Sequence, residues 1–342
     1  MIDQDALNDA WENDSFYSLQ LELGDACSQG CLYCYMNALP AQENTLDDEM
    51  VKGILVDAAA MGISAIEWLG GEPLLRSSVL EHLAFARELG FRNNLWTGGL
   101  PLVDQDLRAS CASLCMHGLI SVHVSTVDPT LYERLHPGRT RKDLSSILGS
   151  VHALLEDGYP SSQMLNSVTF TGLQPASDMI STIDYFEEHF GIATSLNVYH
   201  TYLRPGQSRE NLARFIPEPA AVARVYNRMK AQAGVDMLPM NCVNKQYCSS
   251  TLAVLCDGTV TPCATIREPD APNLHQEGNL KEIVKSHWDH LIFKKFKDKG
   301  NLPNTCKTCM LSSTCWGCRS RAYAAGLGLF GPDPRCFLKK HR

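Results

Sequence analysis

Cys27-Ser28-Gln29-Gly30-Cys31-Leu32-Tyr33-Cys34-Tyr35 is the stretch on which the reading of this chain turns. Its three thiols are spaced C-x3-C-x2-C, close enough to wrap one compact metal group. They fall one short of the four ligands that close an all-cysteine site. An iron–sulfur cube held this way keeps one iron open to another ligand; a structural zinc knuckle is the alternative reading of the spacing. Residues 16–23 alternate apolar with polar just before the loop, which predicts a strand. The thiols therefore occupy the turn that follows a first strand.

Working outward, apolar runs at 63–68, 94–97, 119–126, 164–171 and 194–200 predict five more strands. Helical patterns fill the intervals: one opened by Thr45-Leu46-Asp47-Asp48 and ended at Gly62, then 77–89, 104–117, 142–157 and 175–190. Strictly alternating strands and helices imply an α/β fold whose parallel sheet curves into a partial (β/α)6 TIM-like barrel. Active sites of such sheets lie at the carboxyl ends of the strands. The cysteine loop, the turn Gly70-Gly71-Glu72-Pro73 and Thr97 all fall there. Residues 204–208 read as a loop leaving the barrel and 219–234 as a bridging helix. Beyond 237 the alternation stops and cysteines dominate, so a boundary is expected near 235, dividing the chain into 1–235 and 236–342.

The net charge of −8 disfavours a phosphate-backbone partner, so no nucleic acid is expected. No apolar run is long enough to span a membrane, and the acidic N-terminus lacks a signal-peptide core. A cytoplasmic protein is expected, in which fourteen cysteines read as metal ligands before disulfides. Eight lie in the last third: Cys242, Cys248, Cys263, Cys306, Cys309, Cys315, Cys318 and Cys336. Eight is twice four, which suits two closed sites of iron–sulfur or zinc type. Asp257-Gly258 predicts a hairpin of strands 251–256 and 259–263. Cys111, Cys115 and Cys256 read as buried small hydrophobes. His123 shares a strand face with Ser125 and can point into the barrel. Tyr199, His200 and Tyr202 close the last strand, and for all four core or surface outranks catalysis. The tail 339–342 reads as a solvated end.

The cysteine loop, with Tyr33 just before its last thiol, resembles the cluster loop of radical S-adenosylmethionine (SAM) enzymes. The C-terminal pattern, with Cys306-x2-Cys309-x5-Cys315-x2-Cys318 and Cys336, resembles the SPASM auxiliary-cluster domain, its final gap two residues where three is usual. The resemblance implies three 4Fe-4S clusters and SAM as cofactors. Cys27, Cys31 and Cys34 would hold the SAM-binding cluster. Cys242, Cys248, Cys263 and Cys318 would hold the first auxiliary cluster; Cys306, Cys309, Cys315 and Cys336 would hold the second. The Gly70-Gly71-Glu72-Pro73 turn would meet the SAM amino group, Ser125 would help hold SAM, and Tyr33 would lie beside the adenine. Thr97-Gly98-Gly99 stands where the family often has Thr-Asn-Gly; Arg139 or Arg141 could reach the SAM carboxylate, though a solvated basic loop outranks that reading.

The implied reaction is one-electron cleavage of SAM to a 5′-deoxyadenosyl radical that takes a hydrogen atom from a substrate. The leading expectation is an oxidative maturase that crosslinks or dehydrogenates a peptide or protein side chain; the catalytic acid or base is not legible. The alternatives are modification of a tetrapyrrole or other small molecule, and a non-catalytic iron–sulfur or zinc scaffold. Ala264 stands where sulfatase-maturating relatives carry a catalytic Asp, which argues against that reaction. Only 26 residues precede Cys27, so a leader-binding module is not expected before it and a separate leader-binding protein is an expected partner. A reducing partner such as flavodoxin or ferredoxin is also implied.

Overall fold

The computed structural model describes residues 2–38, 43–199, 213–233, 238–291, 297 and 299–338. The expectations for His200, Tyr202, the loop 204–208, the boundary at 235 and the tail 339–342 fall outside them.

Six strands, β1 (Ser18–Glu22), β2 (Ala65–Leu69), β3 (Arg92–Thr97), β4 (Leu119–Val122), β5 (Met164–Phe170) and β6 (Ala193–Val198), run parallel in chain order. Each crossover carries a helix, as parallel pairing requires. These are α2 (Asp48–Ala60), α3 (Val79–Glu88), α4 (Gln105–Leu114), α5 (Pro129–Leu135), α6 (Arg141–Glu156) and α7 (Ala176–Phe190), after a leading α1 (Gln4–Glu12). The sheet is a partial TIM barrel with its helices outside.

Local chemistry sets the helix starts. Asp47, Asp104 and Asp128 cap α2, α4 and α5 by accepting from backbone N–H groups of the first turn, and Thr140 with Asp143 forms a capping box on α6. The N-cap of α2 is Asp47 rather than Thr45. The Thr45 hydroxyl instead donates to the Leu23 carbonyl at 2.6 Å, tying the helix approach to the end of β1.

Alternation divides each strand between two environments. In β1, Leu19, Leu21 and the following Leu23 pack with Ile66, Trp68, Leu95, Ile120 and the helices in the main apolar core. Ser18, Gln20 and Glu22 face the other way, into the barrel, as do Glu67, Asn94, Trp96, Ser121 and His123. The lumen is therefore polar.

The cysteine-rich part does not stand apart from this sheet. The hairpin β7 (Thr251–Val254) and β8 (Val260–Thr261) is antiparallel as expected, but β7 also pairs parallel with β1, Ser18 opposite Thr251. The order is β6-β5-β4-β3-β2-β1-β7-β8. Leu252, Val254 and Val260, with Leu280 and Ile283 of the helix Leu280–Ser286, belong to the same core as the barrel strands. Among the described residues no helix is long and apolar enough to cross a membrane.

Candidate active site at the barrel mouth

The cysteine loop leaves β1 at its carboxyl end and is locked to the turn after β2. Gly71 N–H donates to the Gly24 carbonyl and Glu72 N–H to the Ala26 carbonyl, both at 2.8 Å. A Cβ on Gly71 would lie 2.3 Å from the Ala26 oxygen, and one on Gly70 2.6 Å from the Gly24 oxygen. The glycine pair thus lets two backbones touch, turn against cysteine loop.

Glu72 is buried, and its carboxylate accepts from Thr97 Oγ1 at 2.8 and 2.9 Å, from Gly98 N–H at 2.7 Å and from Leu74 N–H at 3.2 Å. Burial pushes its pKa up to about 7 despite these donors. Pro73 opens the short 3-10 turn that follows. Thr97 therefore spends its hydroxyl on orienting Glu72.

The three loop thiols lie within electrostatic reach of one another, Cys34 acting on Cys27 and both acting on Cys31. Burial pushes Cys27 up to about 12 and Cys31 well above the ordinary thiol, each raised further by its neighbours. No disulfide joins any of the fourteen cysteines. Gln29 N–H donates to Cys27 Sγ at 3.3 Å and Ala38 N–H to Cys34 Sγ at 3.4 Å. The Gln29 side chain reaches the Tyr132 hydroxyl at 3.2 Å.

Tyr33 runs from the loop into the barrel. Its hydroxyl lies 2.9 Å from His123 Nε2 and 3.1 Å from His136 Nε2. Burial lowers both imidazoles to about 4. Ser125 Oγ lies 3.3 Å from the same His123 nitrogen and accepts from Thr169 N–H at 3.0 Å. Ser121 Oγ, on the same face of β4, is buried with no hydrogen-bond partner among the described residues. Arg139 and Arg141 sit on α6 and the turn before it, engaged with Asp143 and Glu133 at 3.5 Å. Tyr199 is buried against Phe215.

The eight C-terminal thiols gather into two groups. Cys248 and burial raise the Cys242 thiol, and Cys263 and Cys318 lie in electrostatic reach of it. Cys336 and Cys306 lie in electrostatic reach of Cys315, and Cys309 in that of Cys306. Trp316, buried between Cys315 and Cys318, lies between the groups: its carbonyl is 3.8 Å from Cys306 Sγ. Asp333 fixes this region, accepting from Cys318 N–H at 2.8 Å, Arg335 N–H at 2.9 Å and the buried Arg321 guanidinium at 2.7 Å.

Residues 21–216 match the radical SAM superfamily. The chain belongs to that superfamily. Residues 242–310 match SPASM, described as an iron–sulfur cluster-binding domain. Relatives of this radical SAM enzyme include PqqA peptide cyclase of Xanthomonas campestris pv. campestris, 28% identical over 93% of this chain and 86% of the relative. PqqA peptide cyclase of Gluconobacter oxydans is 25% identical over 95% and 91%. Among solved structures, SuiB of Streptococcus suis bound to S-adenosylmethionine superposes with a TM-score of 0.66 at 14% identity, over 97% of this chain and 80% of that one. The protein anSMEcpe, with AdoMet and a Cp18Cys peptide, gives 0.65 at 16% identity over 89% of each chain. At these identities the two structures speak for the fold.

Sequence reasoning missed one cluster of the radical SAM barrel. Glu22, buried at the end of β1, accepts from Tyr35 at 3.0 Å, Arg267 at 2.7 Å and Cys256 N–H at 3.3 Å. Burial raises the Glu22 carboxyl and the Arg267 guanidinium opposes it. The cluster ties the residue after Cys34 to the segment after Cys263. A signal was present: Ser18, Gln20 and Glu22 alternate with three leucines, which marks a polar inner face. His136, with no strand to give it phase, carried no such mark. Cys111 and Cys115 are buried in the core as expected.

Proposed function

We propose that this radical SAM enzyme oxidises a peptide or protein side chain by crosslinking or dehydrogenation. The observation that carries the reading is the three-thiol loop bonded directly to the Gly-Gly-Glu turn at the mouth of a polar barrel. The relatives named above, peptide cyclases, support the substrate class.

The residues present fit an iron–sulfur cluster and SAM. The donors are thiols, they converge in two places besides the loop, the mouth offers a buried carboxylate, and the lumen below it holds an orphaned Ser121 hydroxyl. Cys27, Cys31 and Cys34 would hold the barrel cluster; Cys242, Cys248, Cys263 and Cys318, and Cys306, Cys309, Cys315 and Cys336, would hold two auxiliary clusters. When bound, cluster and SAM supply a one-electron route to hydrogen-atom abstraction.

The rest is this chain's own work. Glu72, held in place by Thr97 and Gly98, would meet the SAM ammonium beside Gly70, Gly71 and Pro73, a cation that would favour its ionised form. Ser125 and Tyr33 line the same mouth. Metal loading must displace protons from thiols such as Cys27, Cys31 and Cys263, whose pKa values burial raises. We place the division between modules near residue 235, the protein in the cytoplasm, and a flavodoxin- or ferredoxin-type carrier as reductant, with a separate leader-binding protein as a further partner.

The test is anaerobic incubation of reconstituted protein with SAM, dithionite and candidate peptides, read by mass spectrometry. A peptide product lighter by two hydrogens is expected. Absence of SAM cleavage overturns the reading.

A further inference from the structure

The Tyr33 hydroxyl has one hydrogen and more than one acceptor. His123 Nε2 is 2.9 Å away and His136 Nε2 3.1 Å, and the Ser125 hydroxyl and the Cys31 sulfur are also within reach. Cys31 Sγ and a ring nitrogen of each histidine all lie within 4.8 Å of one another.

Partners decide which nitrogens carry hydrogen. His136 Nδ1 is 2.9 Å from the Tyr132 carbonyl, which can only accept, so Nδ1 bears the hydrogen and Nε2 presents a lone pair. His123 has its Nε2 turned to Tyr33 and Ser125 and the Ser167 backbone on the other side of the ring. With Nε2 facing those hydroxyls, the hydrogen of the neutral ring sits on Nδ1. Two imidazole lone pairs, that of His123 shared with the Ser125 hydroxyl, thus compete with one thiolate for the Tyr33 O–H.

Hydrogen bonds to ligating sulfurs are among the features that set the potential of an iron–sulfur cluster. A donor on the sulfur stabilises the reduced, more negative form and makes reduction easier. We propose that His123 and His136 hold the Tyr33 hydroxyl off the Cys31 sulfur and so keep the barrel cluster at a low potential. The two histidines are positioning residues, acting through Tyr33. The inference rests on Cys31 being a cluster ligand.

The test is a redox titration of anaerobically reconstituted full-length protein, followed by the electron paramagnetic resonance signal that changes when SAM is added. His136→Phe is expected to raise the midpoint of that signal, and His123→Phe with His136→Phe to raise it further. Adding Tyr33→Phe to either is expected to bring it back, which a merely structural role for the histidines would not do. Tyr33→Phe alone is expected to leave the midpoint, read before SAM is added, where it was, and this mild substitution can still overturn the inference if the histidine variants fold poorly. A midpoint lowered by Tyr33→Phe alone means that the hydroxyl already bonds the sulfur, which overturns the inference. So does an upward shift that survives removal of the hydroxyl. If no signal responds to SAM, the ligand reading falls first and this inference with it.

Discussion

Glu72 is a carboxylate buried without a cation among the described residues that touch it, and that has a measurable cost. Its raised pKa means the fold favours the protonated form, so its contribution is fully present below the ordinary carboxyl value of 4.5 and is lost as pH rises through about 7. The loss approaches about 3 kcal/mol in cofactor-free protein. In Glu72→Gln, the melting temperature relative to the parent should therefore climb between about pH 5 and about pH 8; a flat difference would contradict this. Cys31→Ala should abolish production of 5′-deoxyadenosine and remove about four irons, one cube's worth, from the reconstituted chain. Wild-type rates in that variant would refute the loop assignment. Of these residues, the cysteines were legible because three thiols so close together leave few other uses. The pairing of Tyr33 with two histidines 90 and 103 residues away was not, since nothing local marks a side chain that meets its partner only in space.

Among elements, the turn after β2 shows how little room the site has. Gly71→Ala would drive a methyl into the Ala26 carbonyl, separating turn from cysteine loop. We expect a loss of roughly 1–3 kcal/mol, the usual range for forced overpacking, and loss of SAM binding measured by calorimetry. Retention of both would mean that the loop can shift without consequence. The six barrel strands were readable from apolar runs punctuated by glycine, and the helices from the patterns between them. The parallel contact of β7 with β1 was not readable, because parallel partners need no turn between them and leave no short-range trace.

For the molecule as a whole, Arg321 and Asp333 form a fully buried ion pair beside Cys318. Removing one partner strands the other charge, so Asp333→Ala should cost about 3–5 kcal/mol in chemical denaturation and lower the iron content. An unchanged midpoint would show that water or a neighbour replaces the carboxylate. The intact chain should hold about twelve irons after anaerobic reconstitution, counted by colorimetric assay against zinc. A count near four with zinc in the balance would turn the C-terminal groups into zinc sites.

Synthesis order gives the β1–β7 pairing a price in time. Ser18 leaves the ribosome early, whereas Thr251, its neighbour on that side, is made more than two hundred residues later. Until then one flank of the first strand has bare amide and carbonyl groups, the kind of surface that recruits stray chains. Nascent barrels should thus be most prone to clump just before the hairpin arrives, and metal supplied at that late stage would arrive as the sheet is being sealed.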